Sequence, residues 1–253
     1  MSEITISAVA FALISGATFL GLYLHDVLPK EHLSDDSKET VKLGMGMVAT
    51  LAALVLGLLV GFATNSFNDM RGDVQRTAAN LILLDRTMAH YGPETQEIRE
   101  LLRRSTAARI AAIWPKVGFQ PSQVESANAM TAAEAVQDKL RSLNPQTDAQ
   151  RWLQARALSL TTDLAQTRWL LVAEAEDEIP MLLVAVLIFW VAIIFLSFAM
   201  FAPRNATVMV TLLVCALSVS ASIFLMLELN SPFRGAISIS GAPMREALAR
   251  LGQ

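Results

Sequence analysis

Four runs without a single Asp, Glu, Lys or Arg interrupt this sequence, and they constrain its fold more than any other feature. Each has 21 or 22 residues, and they cover Ile4–Leu24, Leu43–Thr64, Pro180–Phe201 and Thr207–Leu227. Because a helix rises about 1.5 Å per residue, such a run crosses the roughly 30 Å hydrocarbon core of a bilayer. The chain is therefore predicted to span a membrane four times.

The rest of the chain has the composition of a soluble protein. All 20 Lys/Arg and 23 Asp/Glu residues lie outside the runs, where they make up about 26% of the residues, close to the usual soluble value. We predict an all-α membrane protein with a helical domain outside the bilayer. Its segments are spans 1 and 2 in residues 1–64 (4–24 and 43–64), the helical domain in 65–179, a hairpin of spans 3 and 4 in 180–235 (180–201 and 207–227), and a tail in 236–253.

The helical domain shows apolar residues at helical spacing and no strand pattern. A stripe of apolar residues follows span 2 up to the breaker Gly92-Pro93: Phe67, Met70, Val74, Leu81, Leu84 and Met88. Later helices carry Ile98, Leu101, Ala108 and Ala112 on one face, and Leu153, Ala157, Leu160 and Leu164 on another. Since no breaker precedes Pro180, we predict an antiparallel bundle that is continuous with spans 2 and 3.

Charge distribution predicts the orientation of the chain in the membrane. The N-terminus, the large domain and the tail lie on one side, with six Lys/Arg close to a membrane end against four on the other side. The positive-inside rule then makes the large domain and both termini cytoplasmic. The net charge of −3 gives no reason to expect nucleic acid as a partner.

Span 2 carries a stripe of small residues that recur every four positions: Ala49, Ala53, Gly57 and Gly61. Small residues let helix backbones approach closely. The stripe therefore indicates helix packing, within one subunit or between subunits. The alternative is the wall of a pore, because small residues leave room on an axis where symmetric copies meet.

Span 4 carries a polar stripe at positions i, i+4, i+7 and i+11: Thr211, Cys215, Ser218 and Ser222. These side chains either bond back to their own helix and its neighbours or form a neutral lining for ions. No acid, basic residue or histidine lies within any span. That absence is unlike proton-coupled carriers, and it favours a passive pore or a non-conducting scaffold.

Charged residues concentrate where the helical domain meets the membrane. Glu174, Asp177 and Glu178 share a helix face before span 3, while Arg71 and Arg76 follow span 2 at a similar distance. Salt bridges between the two helices are one interpretation, and an acidic ring at a pore mouth is the other. Glu228, at the end of span 4, could join either arrangement.

Signals for catalysis are missing from the sequence. It has no nucleophile motif, P-loop or zinc-ligand spacing, and its one cysteine lies within span 4. We therefore predict that the protein is not an enzyme, and that it has no catalytic residues, metal or cofactor.

Several segments resemble the bacterial bestrophin-like domain family of four-span membrane proteins. The resemblance covers most of the chain and is most specific between Trp190 and Pro243. It rests on residues 32–59 (HLSDDSKETVKLGMGMVATLAALVLGLL), Trp190, Leu196–Phe198, the turn Phe201–Asn205 with Pro203, Arg204 and Asn205, Ala216–Ser218, Phe224–Leu229, Pro232, Phe233, Gly235 and Ser240–Pro243. Asn230 departs from the family pattern, where an Asp is expected.

The resemblance implies kinship with bestrophins, which are pentameric, Ca²⁺-gated anion channels. Span 2 has no aromatic neck, since its only aromatic residue is Phe62 at one end, and the anion preference is therefore not carried over. The main hypothesis is a homo-oligomeric ion channel with a cytoplasmic vestibule. The alternative is a non-conducting scaffold or sensor whose helical domain recruits a cytoplasmic protein partner.

Overall fold

The computed structural model of the protein describes residues 2–29, 34–114, 127–176, 179–203, 205–233, 235 and 237–253, with the side chains of 127–132 and 172–176 left out. Regular structure in these ranges is helical throughout. The helices are α1 (Glu3–Val27), α2 (Asp35–Tyr91), α3 (Gln96–Ile113), α4 (Ala127–Arg141), α5 (Asp148–Glu176), α6 (Met181–Phe201), α7 (Ala206–Leu229) and α8 (Ala242–Arg250).

Four of these helices, α1, α2, α6 and α7, are long and apolar enough to cross a membrane. They contain the four charge-free runs, except that α6 begins one residue after Pro180. The predicted class, an all-α protein with four membrane helices, is confirmed.

The chain forms two compact units. One, which we call the membrane unit, consists of Met1–Ser66 and Glu178–Asn230. The other, the helical unit, consists of Phe67–Asp177 and Ser231–Gln253. Helix α2 contributes its first half to the membrane unit and its second half to the helical unit.

Close contact between α1 and α6 organises the membrane unit. Gly21 faces the main-chain oxygen of Leu196, and a Cβ added at Gly21 would overlap that oxygen and come within 2.9 Å of the Ala199 Cβ. At the end of α1, the His25 ring Nδ1 lies 2.7 Å from the carbonyl oxygen of Met200. This core is completed by Ala10 and Ile14 of α1, which are buried together with apolar residues of α6 and α7.

Helix α2 starts where its sequence provides a cap. The Ser34 hydroxyl accepts a hydrogen bond from the Ser37 N–H at 3.3 Å, and Asp35 and Asp36 occupy the first turn, where acids are favoured. Later in α2, the predicted apolar stripe is buried. Met70, Leu84 and Met88 are at most 2% exposed, and Phe67 is partly buried against the same core.

A tight turn reverses the chain between α2 and α3. Gly92 has a φ of +141°, a conformation that residues with a Cβ rarely adopt. A single 3-10 turn, Pro93–Thr95, follows. The Thr95 hydroxyl donates to the Met88 carbonyl oxygen at 2.6 Å, which closes the last turn of α2.

The helical unit is completed by α4, α5 and the segment after α7. The Gln154 side-chain amide donates to the carbonyl oxygens of Leu140 and Leu143 and so caps the end of α4. The Trp114 indole N–H donates to the Ile239 carbonyl oxygen at 2.8 Å, and its ring meets Phe233 edge to face. The buried residues Met244 and Ala247 seat α8 in the same core.

Two details differ from the predictions. Helix α5 does not run directly into span 3, because Ile179 and Pro180 are not helical and α6 begins at Met181. Proline removes a backbone donor and disfavours helical geometry at the residue before it. In α3, Ala108 is exposed, whereas Leu102, Thr106 and Ile110 are buried together with Ile98.

Candidate functional site

The membrane segment of α2 contacts the rest of its unit through one narrow face. Ala52 and Ala63 are 5% and 0% exposed, and Met45, Leu56 and Leu59 lie partly buried beside them. Only 6% of the most apolar stretch of α2 is buried, against 33% in α1 and in α6 and 17% in α7. Span 2 is therefore the membrane helix least covered by its own chain.

The small-residue stripe lies beside this contact face. Ala49 is half-buried, whereas Ala53, Gly57 and Gly61 are exposed. A Cβ added at Gly57 or Gly61 would meet no atom within 4 Å. The stripe from Ala53 onward therefore does not pack within its own chain, which removes one of the two packing interpretations. Packing between subunits and a pore wall both remain proposals.

A third face of α2 presents large apolar side chains. Met47, Leu54 and Leu58 are 73%, 59% and 65% exposed, and Leu51 and Phe62 extend the same face. An apolar face of this size is expected to contact lipid or another protein chain. The small stripe and this bulky face thus give span 2 two chemically different surfaces, both uncovered by the chain itself.

The polar stripe of α7 is turned mainly outward. Thr211, Cys215 and Ser218 are exposed, and Ser222 is half-buried. The three hydroxyls donate to carbonyl oxygens four residues earlier in their own helix, at 2.8, 2.9 and 3.0 Å for Thr211, Ser218 and Ser222. Each hydroxyl keeps lone pairs that can accept a bond from water or coordinate a cation.

The structure describes only some of the charged residues at the junction, so both interpretations of this cluster stay predictions. Arg76 pairs with Asp73 on its own helix, with 2.7 Å between Nη1 and Oδ1. Arg71 is exposed. Asp177 and Glu178 lie outside the described residues, as does the Glu174 side chain, and Glu228 is buried at 3% exposure. Asp73, which is 7% exposed, is the partner that sequence reasoning missed, although its i, i+3 spacing was visible.

The turn between α6 and α7 is held by a side-chain cap. The Asn205 Oδ1 accepts a hydrogen bond from the Val208 N–H at 2.8 Å, and the Asn205 N–H donates to the Pro203 carbonyl oxygen at 3.0 Å. Arg204 lies outside the described residues. The turn therefore has a structural explanation in Pro203 and Asn205.

The helical unit contains a buried ion pair that was not singled out from the sequence. Asp85 is 1% exposed and binds Arg99 through two hydrogen bonds. The hydrogen bond to Asp85 raises the pKa of Arg99 above its ordinary value. Its signal in the sequence was an acid between two members of the apolar stripe, Leu84 and Met88.

A second arginine of the helical unit is electrostatically unfavourable. Burial and, to a smaller extent, the positive charge of Arg168 together lower the pKa of Arg109 to about 10. Two like charges thus approach each other from α3 and α5. Both arginines belong to the helical unit, so this pair of like charges is not part of the small-residue stripe in the membrane unit.

The chemistry available around span 2 is that of a neutral surface. The stripe consists of methyl groups and main chain, and the exposed Thr50 and Thr64 on the same face donate their hydroxyls to carbonyl oxygens four residues earlier in the helix. In the part of the chain that the structure describes, no three His, Cys, Asp or Glu residues are grouped to hold a metal ion. Such a surface can pack closely or border water, but it supplies no group for acid–base chemistry.

Comparison with known proteins connects this arrangement to a family. The model of the bestrophin-like domain matches residues 12–244. No curated protein matches the chain. Crystal structures of a bacterial bestrophin homologue from Klebsiella pneumoniae have the same fold. One variant has a TM-score of 0.72 at 13% identity, covering 97% of this chain and 99% of the homologue. A structure phased with zinc has a TM-score of 0.70 at 12% identity, covering 96% of each chain.

At this level of identity the solved structures establish the fold, while the family model spans nearly the whole sequence. Both extend over the four membrane helices and the helical unit. The chain is therefore a multi-pass membrane protein that belongs to the bestrophin-like family.

Proposed function

We propose that the protein is a homo-oligomeric ion channel in which the small-residue stripe of α2 faces the central axis. Known bestrophin homologues are ion channels. The observation that carries the proposal is the exposure of span 2, of which 6% is buried by its own chain. A span this apolar and this uncovered suits a helix that is surrounded by copies of itself.

The three faces of α2 suit such an assembly. The Ala52 face contacts its own unit, the bulky face with Leu54 and Leu58 would contact neighbouring copies, and the stripe with Gly57 and Gly61 would border the pore. Glycines there would leave room for an ion on the axis without placing a fixed charge beside it. This lining gives no basis for choosing between anions and cations.

The remaining helices take supporting roles in this proposal. The helical unit would surround a vestibule on the cytoplasmic side of a bacterial inner membrane, with both termini on that side. The polar stripe of α7, with Thr211 and Ser218, and the junction charges Arg71 and Glu228 would tune the surroundings of the pore rather than form its narrowest part.

Reconstitution of the purified protein tests the proposal. Mass photometry in nanodiscs should show one assembly of several copies, and liposomes should release or take up ions when the protein is present. A protein that stays monomeric contradicts the proposal, as does an intact oligomer without flux of K⁺, Na⁺ or Cl⁻. Empty liposomes and the same protein after heat denaturation are the controls.

A non-conducting scaffold is the second candidate, and exposed tryptophans in the helical unit favour it. Trp152 and Trp169 of α5 are 66% and 56% exposed, and tryptophan is enriched at protein interfaces. A scaffold would bind a cytoplasmic protein through these exposed residues of α5. Replacing both residues with alanine should then abolish capture of that partner and leave the oligomer mass unchanged.

A further inference from the structure

We propose that a cleft in the membrane unit, between the start of α2 and the end of α6, binds the headgroup of an anionic phospholipid. The cleft has a volume of about 270 Å³. Lys38, Lys42 and Met45 line it from α2, and Phe198 and Phe201 line it from α6, with Ala202 at its edge. A polar end and an apolar end therefore lie within one small space.

The depth of the cleft in the bilayer follows from the sequence. Leu43 is the first residue of the second charge-free run, and Phe201 is the last of the third. The cleft straddles both boundaries. Lys42 directly precedes the apolar run, and Lys38 lies about 6 Å farther along the helix axis. The ammonium groups therefore belong at the headgroup level, while Met45 and Phe198 belong at the level of the first acyl carbons.

The two lysines are the charged residues among those that line the cleft. They stand four residues apart on one face of α2, where like charges repel each other. Among the described residues, neither lysine forms an ion pair with a carboxylate. Asp35, Asp36 and Glu39 lie on the same turns of α2, but all three are exposed and none of them lines the cleft. A phosphate between the two ammonium groups would offset their repulsion.

The lining selects among the molecules that carry a phosphate. Free phosphate would use the lysines but gain nothing from Met45, Phe198 and Phe201. A zwitterionic lipid neutralises its own phosphate with its choline or ethanolamine group. An anionic phospholipid such as phosphatidylglycerol keeps one net negative charge and brings acyl chains to the apolar wall, so it uses both ends of the cleft.

Native mass spectrometry of the delipidated, full-length protein tests this site. The probes are dioleoyl phosphatidylglycerol, dioleoyl phosphatidylcholine and the chain-free headgroup glycerophosphoglycerol. The test variant is K38Q/K42Q. The control K139Q/R104Q removes the same charge from exposed residues of the helical unit. A second test variant, Ala202→Trp, fills the cleft while keeping both lysines.

We expect K38Q/K42Q to bind phosphatidylglycerol about 30-fold more weakly, since a basic residue near an anionic lipid surface contributes about a factor of five. Ala202→Trp should also weaken binding, the control should match the native protein, and neither phosphatidylcholine nor the free headgroup should compete. The proposal is overturned if K38Q/K42Q binds phosphatidylglycerol normally or if phosphatidylcholine binds equally well. Competition by the headgroup alone would identify a free-anion site instead. A changed oligomer mass with normal lipid binding would identify a subunit contact.

Discussion

Asp85 and Arg99 form a bidentate ion pair across the turn that joins α2 to α3, with 2.8 Å between Oδ1 and Nε and 2.9 Å between Oδ2 and Nη2. The same pair holds the end of the described chain. The Gly252 N–H donates to Asp85 Oδ2 at 3.2 Å, and Arg99 Nη2 donates to the Gln253 main-chain oxygen at 3.0 Å. One buried carboxylate thus connects α2, α3 and the segment after α8.

The Asp85→Asn variant should destabilise the helical unit by about 3–5 kcal/mol, because it leaves a buried guanidinium without its counter-charge. In a chain of this size the apparent Tm should fall by roughly 10 °C. Scanning fluorimetry of the detergent-solubilised protein measures the change. Glu97→Gln is the control, because the Glu97–Lys139 pair is exposed and its loss should cost less than about 1 kcal/mol.

The Gly21→Ala variant should separate α1 from α6, because the new Cβ would overlap the main-chain oxygen of Leu196. Backbone oxygens cannot move aside as a flexible side chain can, so we expect an apparent Tm lower by several degrees, in line with overpacking costs of about 1–3 kcal/mol. Gly16 lies on the same helix with nothing within 4 Å of an added Cβ. Gly16→Ala should therefore be neutral or slightly stabilising, and equal losses from both variants would contradict this account.

The Gly57→Leu and Gly61→Leu variants test the proposed pore lining. If the stripe borders the axis, the new leucines of all the subunits surround it and form a hydrophobic constriction. Liposome flux should then fall about tenfold or more while the oligomer mass stays the same. Loss of the oligomer would instead indicate that the stripe packs between subunits. Gly16→Leu is the matched control, because it adds the same side chain at an exposed position of α1 where no atom lies within 4 Å of an added Cβ. Its flux should match that of the native protein.

The Arg109→Met variant should stabilise the helical unit at neutral pH by about 1 kcal/mol, because it replaces a charge that burial and Arg168 both disfavour. The pKa of Arg109 is lowered to about 10 in the folded protein, so the unfolded chain holds this proton more tightly. The charge therefore costs stability below pH 10, and the cost fades as the pH rises through that value.

Thermal scans of both proteins between pH 7 and pH 11 measure this difference in Tm, which should be largest near pH 7 and shrink above pH 10. Arg104→Met is the control, because Arg104 is exposed beside Glu100 and should give no gain. A lower Tm for Arg109→Met across the whole range would mean that the charge is favourable where it stands.

Local patterns predicted the helices well because each depended on neighbouring residues. Apolar spacing identified the buried face of α2 from Met70 to Met88, and Gly92-Pro93 marked its end. The prediction of the buried face of α3 was partly wrong, since spacing alone cannot tell which side of an alanine-rich helix packs against a neighbouring helix. The break before α6 shows that Pro180 outweighs an otherwise uninterrupted helical pattern.

The sequence by itself determined the four membrane spans, the all-helical class and the family resemblance. These follow from runs of side chains without charge and from residues that cap or break helices, and both act over a few turns. Only the tertiary structure decided which side of α2 is covered, and that Asp85 holds Arg99 and the end of the described chain. Those outcomes depend on which surfaces come into contact after folding. The spacing of residues along the sequence does not show which distant residues will be in contact.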